Sequence, residues 1–175
     1  QVVGLAVVGA LTVVLTRGIT KTARLARVLL TVTLACLLVT VLVIAAFTRE
    51  WAAPWAGVGD ATAYGILQSA GLLFFAFAGY ARIATLGEEV RAPTVTIPRA
   101  ITRALGLVIA LYAVLALLLL ATIGADGIAA SALPLLTAAQ AADVSWAGVF
   151  VRVGATVAAL GALLGLLSGV GRTVL

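Results

Sequence analysis

Residues 74–93 read FFAFAGYARIATLGEEVRAP and hold the side chains of this sequence whose types could do chemistry. Gly79, Tyr80 and Arg82 stand where an ordinary membrane helix would carry leucine, and the adjacent acids Glu88 and Glu89 follow. The chain has no histidine and one cysteine, so it lacks the commonest metal ligand and the usual general base. These residue types give little support to an enzyme, to a metal site or to a cofactor.

The composition indicates an integral membrane protein. The 175 residues are 64% hydrophobic and 10% charged, whereas soluble domains are about half apolar and a quarter charged. Several apolar runs reach the roughly 20 residues that cross a bilayer. We therefore predict an all-α polytopic helix bundle that forms a single transmembrane domain over residues 1–175. Ten of the eleven basic residues are arginine, which fits a GC-rich bacterial gene and a bacterial plasma membrane.

Five spanning helices can be drawn through the apolar runs. Their predicted bounds are about 2–15, 23–47, 64–90, 99–123 and 146–171. The chain begins with Gln1, contains no methionine and starts and ends in or beside apolar runs. We expect it to be a fragment of a longer protein.

The charges of the loops assign the connections between these spans to the two sides of the membrane. The basic loops 16–27 and 88–103 lie on one side, and the acids Asp60, Asp126 and Asp143 lie on the other. Short basic loops mark the cytoplasmic face. Topology thus accounts for the net charge of +5, and nucleic acid is not needed as a partner.

Loop 126–145 on the outer side is too apolar for a plain connection. Pro134 suits the first turn of a short helix, which we place at about 134–142. Two interpretations stay open at this point, a linker helix on the surface of the bundle and a cover over a gate.

Small residues recur at four-residue spacing along the last span. One row is Gly161, Gly165 and Gly169, and a second is Gly154, Ala158 and Ala162. Such rows let membrane helices pack closely, and helix packing is the interpretation we favour over a substrate role.

The third span is rich in small residues between Ser69 and Gly79. A helix may break inside a membrane only where its freed backbone groups line a cavity or are buried in protein. A break near residues 75–79 would offer an N-terminal helix end to a carboxylate and free carbonyls to an ammonium group. An amino acid carries both groups. From spacing alone, a continuous helix packed on its neighbours is an equal alternative.

The segment FFAFAGYARIATLGEEVRAPTVTIPRAI resembles the signature of the amino acid–polyamine–organocation transporters, the amino acid permeases. Their pattern is an aromatic-rich FFAF-x-GF-E run, followed by EE-V-x-N/D-P and IPRAI. The runs RGITKTARLARVLLTVT and GALLGLLSGVGRTVL are similar to the family's entry into the fifth span and to its eighth span. The resemblance covers essentially the whole chain.

This resemblance implies a partial inverted-repeat transporter fold. The family builds two five-helix repeats whose first and sixth helices are broken, and this chain corresponds to about the fourth to eighth helices. The partners it implies are an amino acid substrate, the lipid bilayer and the remaining helices of the same full-length chain.

The resemblance also implies substrate-binding residues. Phe75 matches the family's gating aromatic, and the run Phe75, Ala76, Phe77, Ala78 and Gly79 matches the unwound segment whose backbone binds the amino group.

Tyr80, Arg82, Glu88 and Glu89 are candidates for gating or coupling. An intramembrane guanidinium costs at least roughly 2.5–3.5 kcal/mol unless it meets water or a partner. Arg82 should therefore face the cytoplasmic vestibule or pair with an acid. It could disfavour cationic substrates or act as a gate latch, or it could be a structural arginine bonded to backbone carbonyls, and these interpretations stay open. Glu88 and Glu89 suit a gate or loop anchor, or a solvated interfacial charge run.

The coupling ion is left open by the sequence. Ala81 stands where many family members carry an acid, and Thr33 falls near the position where some carry a lysine. Proton coupling through either group is therefore in doubt, and H⁺ and Na⁺ both remain candidates. Ala92 stands where the family has Asn or Asp.

Secondary transport of amino acids or related amines by alternating access is the function that the resemblance implies, with ion coupling expected. The alternatives are a non-transporting membrane scaffold or degenerate fragment and, with less support, a channel. Selectivity pores are built from repeated rings of carbonyls or charges, and no ring-forming repeat occurs in this sequence.

Overall fold

A computed structural model describes residues 2–16, 19–53, 62–77, 90 and 92–173. The described elements are helices. They are α1 (Val2–Thr16), α2 (Ile19–Phe47), α3 (Ala63–Phe77), α4 (Pro93–Ala130), α5 (Pro134–Ala141), a 3₁₀ turn (Ser145–Ala147) and α6 (Gly148–Thr173). Among the described residues, three helical stretches are long and apolar enough to cross a membrane, namely Thr22–Phe47, Pro93–Ala130 and Ser145–Gly169. The chain is an all-helical integral membrane protein.

The observed helices lie close to the predicted spans at most ends. The fourth helix is the clearest difference, because it begins at Pro93 and not near residue 99, and Pro98 lies inside it. Pro93 occupies the first turn, where the missing N–H has no helical partner to lose. The predicted continuation of the third span from residue 78 to 89 lies outside the described residues.

The chain divides into two compact units, residues 1–49 with 135–175 and residues 50–134. In the first unit α2 packs along α6, and α1 contacts both. Cys36 lies against Gly154 and Leu29 against Gly161. The two contacts run in opposite chain order and are seven residues apart on each helix, so α2 and α6 are antiparallel. Opposite directions are also what the charged loops require of these two spans.

Small residues allow the close approach of α2 and α6. A Cβ atom on Gly154 would lie 3.0 Å from the Cβ of Cys36 and 4.0 Å from the backbone oxygen of Thr33. Gly154 is buried and Gly161 half-buried, whereas Ala158 and Ala162 are exposed. The interface thus follows a seven-residue repeat, which keeps one face toward an antiparallel neighbour. Gly154 and Gly161, one from each predicted row, thus lie against α2, and packing at Ala158 and Ala162 stays a prediction.

The outer end of the first unit contains several of its most buried side chains. Thr40, Ile44 and Val144 are almost fully buried. The hydroxyl of Thr40 donates to the carbonyl of Cys36 at 2.8 Å, so this polar group is buried with its hydrogen bond made.

The short helix α5 coincides with the segment that Pro134 predicted. It ends in a Schellman motif, in which the N–H of Val144 donates to Ala139 and the N–H of Asp143 donates to Gln140. Asp143 takes the left-handed conformation there, with φ 56°, where glycine is usual and Asp is tolerated. Ala138 and Ala139 are fully buried, so α5 packs by one face and is not merely a solvated connection.

Gly124 interrupts α4 with φ 69° and ψ 175°. The predicted end of this span, Ile123, is the residue before the interruption, and residues 125–130, expected as loop, form a further short helical segment. The non-helical backbone of Gly124 turns the next N–H away from the helix axis. The carbonyl of Ala121 instead accepts a hydrogen bond from the N–H of Ala52 at 2.7 Å.

Gly124→Ala is expected to lower the free energy of unfolding by about 1–3 kcal/mol, because the φ and ψ of this residue are essentially restricted to glycine. Gly106→Ala is the matched control. It lies in the same helix with open space around its Cβ position, and should raise the free energy of unfolding by about 1 kcal/mol. Denaturant or thermal unfolding in detergent measures both. Equal effects of the two variants would contradict the assigned kink.

Ala92→Asn is expected to stabilise the protein by roughly 0.5–1 kcal/mol. Ala92 precedes α4 in the left-handed region, with φ 50° and ψ 61°, and Asn occupies that region several-fold more readily than most residues. The same substitution at the exposed helical residue Ala100 should destabilise by about 0.5 kcal/mol. A melting temperature that falls for Ala92→Asn would contradict the left-handed assignment.

Candidate substrate site

Helix α3 carries the first part of the predicted binding segment. It begins at a Thr62 cap, whose hydroxyl accepts a hydrogen bond from the N–H of Gly65 at 3.1 Å. Thr occupies such caps because its side-chain oxygen satisfies one of the N–H groups left free at a helix start. The helix then runs uncharged to Phe77. The cap therefore fixes the start of the helix that brings Phe75, Ala76 and Phe77 to its last turn.

The three described residues of the predicted binding segment are helical. Ala76 is exposed and Phe77 is half-buried, while of Phe75 the structure describes the backbone. The other six predicted site residues lie outside the described residues: Ala78, Gly79, Tyr80, Arg82, Glu88 and Glu89. The break near residues 75–79 therefore stays a prediction.

Tyr112 of α4 is a residue of this region that sequence reasoning missed. Its ring centroid lies 5.3 Å from that of Phe77, and the two planes meet at 75°, an edge-on arrangement. A signal for it existed, since Tyr112 is the one side chain with a polar group between Arg103 and Thr122. A polar aromatic within so uniform an apolar run points to a specific neighbour.

The part of this region that the structure describes is apolar and aromatic. No charged residue occurs in α3 or in the α4 segment 104–123. Polar recognition here would therefore fall to backbone groups at helix ends. Such groups bind charged ligands through aligned peptide dipoles.

Comparison of the sequence with known protein families identifies the family of this chain. The family model described as amino acid permease matches residues 1–174. The chain belongs to the amino acid permease family. Membership places this permease chain with membrane transport proteins.

Curated relatives of the permease chain agree with that assignment. Uncharacterized transporters of Mycobacterium tuberculosis and Mycobacterium bovis are 52% identical to it over 176 residues. The match covers 99% of this chain and 39% of each relative, so the chain spans about two fifths of their length. A bacterial plasma membrane fits these relatives. No solved structure matches the chain significantly.

Proposed function

We propose that this chain forms about the fourth to eighth helices of a secondary transporter that moves amino acids or related amines by alternating access. The observation that carries the proposal is the family match over residues 1–174, together with a glycine-containing segment at residues 75–79 of the kind that binds amino acids in broken helices. The aromatic and uncharged surroundings described for α3 and α4 support binding of the ligand through backbone groups.

The proposed site is the run Phe75, Ala76, Phe77, Ala78 and Gly79. Freed carbonyls in this run would bind the substrate ammonium group, and Phe75 would close over it. The positive end of a half-helix would bind the carboxylate. The other half of the site belongs to the first family helix, which lies in the remaining part of the full-length chain.

Residues on the cytoplasmic side of this run are the proposed gate. Tyr80 and Arg82 would lie on the path between the site and the cytoplasm, and Glu88 with Glu89 would anchor the loop that follows. A guanidinium so placed avoids the cost of burial in lipid by facing the water-filled vestibule.

Ion coupling is part of the proposal, with Na⁺ or H⁺ as the ion. Thr33 is half-buried, and its backbone oxygen lies on the side of α2 that faces Gly154 of α6. A threonine at this place cannot titrate as the lysine of some family members does. Uptake measured under an imposed Na⁺ gradient and, separately, under an imposed pH gradient identifies the ion.

Uptake into proteoliposomes tests the proposed function. The full-length protein is reconstituted, and each of the twenty tritiated L-amino acids and putrescine is assayed singly. Saturable uptake of at least one of them is the expected result. Absence of uptake for all of them would favour a non-transporting scaffold, and large unitary currents in planar bilayers would favour a channel.

A further inference from the structure

The ring contact between Phe77 and Tyr112 joins the candidate binding segment to α4. Phe77 lies in the last described turn of α3, two residues before Gly79, and is half-buried. The centroid distance of 5.3 Å and the interplanar angle of 75° lie within the range in which aromatic pairs attract edge to face. Such a pair favours this relative orientation of the two rings.

The other large side chains of α3 are mostly exposed, which makes the Phe77 contact more important for the position of this helix. Ile66, Leu67 and Leu72 are each at least 60% exposed, so their burial does not hold α3 in place in this structure. Phe77 is more buried than they are, and the ring it meets belongs to the one polar aromatic of a uniformly apolar part of α4. A leucine at position 112 would fill space there without defining a ring orientation.

We propose that Tyr112 is a positioning residue of the permease: its ring holds Phe77, one of the proposed binding residues, in the orientation that substrate binding requires. The inference rests on the proposed function, because it assigns a role relative to that binding segment. Tyr112 acts through Phe77, so the effect of its loss falls on substrate affinity more than on the rate of the transport cycle.

Kinetics of three variants in the full-length protein test this role. Tyr112→Leu removes the ring, Tyr112→Phe keeps it, and Tyr64→Leu makes the same change at a tyrosine of α3 that is 76% exposed. Each of the twenty tritiated L-amino acids is assayed singly, and KM and the maximal rate are measured for those that wild type transports. We expect Tyr112→Leu to raise KM by between about 2- and 12-fold. Tyr112→Phe and Tyr64→Leu should stay near wild type.

Fluorine NMR adds a readout that does not depend on substrate. With 4-fluorophenylalanine at position 77, Tyr112→Leu should shift and broaden the fluorine signal, because the ring loses its neighbour. Tyr112→Phe and Tyr64→Leu should leave the signal in place. If Tyr112→Leu does not reach the membrane, Tyr112→Met removes the ring with a similar volume and replaces it in both assays.

The outcomes separate this inference from the proposed function. Wild-type uptake with an unchanged KM in Tyr112→Leu would overturn the positioning role and leave the proposed function standing. An equal rise of KM in Tyr64→Leu, or in Tyr112→Phe, would also overturn it, because the effect would not belong to the ring contact. Failure of wild type to transport any of the amino acids would overturn the proposed function and this inference with it.

Discussion

Gly154→Leu is expected to lower the free energy of unfolding by at least ~3 kcal/mol and to separate α2 from α6. A Cβ at this position already meets the Cβ of Cys36 at 3.0 Å. A leucine side chain would need space that the backbone of α2 occupies, and overpacking of a well-packed interface costs about 1–3 kcal/mol even for added methylenes. Unfolding by sodium dodecyl sulfate in mixed micelles measures the change.

Ala158→Leu is the matched control for this prediction. Ala158 lies one turn further along α6 and is exposed, so the same side chain there should change the free energy of unfolding by less than about 0.5 kcal/mol. A double-mutant cycle tests the contact itself: Gly154→Ala should destabilise by about 1 kcal/mol, Cys36→Gly should also destabilise because glycine weakens a helix, and the double variant should lose less than the sum of the two. Equal destabilisation by leucine at 154 and at 158 would show that α6 does not present Gly154 to α2.

Gly79→Leu is expected to reduce amino acid binding by about 5- to 150-fold, the ratio that corresponds to ~1–3 kcal/mol of steric cost. The reason is that the proposed site binds the substrate through backbone groups, which a leucine side chain would obstruct. The variant should still insert, because leucine favours the membrane. Binding is measured as the stabilisation that each L-amino acid gives the full-length protein against heat.

Gly71→Leu makes the same change two turns earlier in the third span. Gly71 is exposed, and no neighbouring atom lies within 4 Å of the position that its Cβ would take. This control should keep wild-type binding. Unchanged binding in Gly79→Leu would count against the site at residues 75–79, whatever the control shows.

Local signals in the sequence predicted much of the helical framework. Apolar runs with charged or proline boundaries predicted the positions of α1 and α2, and Pro134 predicted the position of α5. The predicted end of the fourth span at Ile123 coincides with the kink at Gly124, because a glycine within an apolar run both weakens a helix and permits positive φ. These features depend on residues close together in the chain.

Features that depend on distant neighbours were missed or misplaced. The Phe77–Tyr112 contact joins residues 35 positions apart, and no spacing rule predicts it. Small residues recur at four-residue spacing on α6, and only the structure shows that Gly154 and Gly161, seven residues apart, are the ones that lie against α2. The helical segment after Gly124 was also missed. At the kink before it, the carbonyl of Ala121 accepts its hydrogen bond from the N–H of Ala52, which is far away in the sequence.

The identity of the binding segment came from its motif. Spacing alone left a broken and a continuous third span equally open, and the described part of α3 ends at the third of the five proposed binding residues. The permease match over residues 1–174 supports the functional proposal, and the proposed roles of the residues from Ala78 to Glu89 rest on the motif.

Counterflow is the measurement that tests the central claim most directly. Proteoliposomes containing the full-length protein are loaded with an unlabelled L-amino acid, diluted into a trace of the same tritiated amino acid, and followed without any ion gradient. An alternating-access carrier predicts a transient accumulation of label inside the vesicles above the outside concentration. Label that only equilibrates, or does not enter for any of the twenty amino acids, would contradict the account.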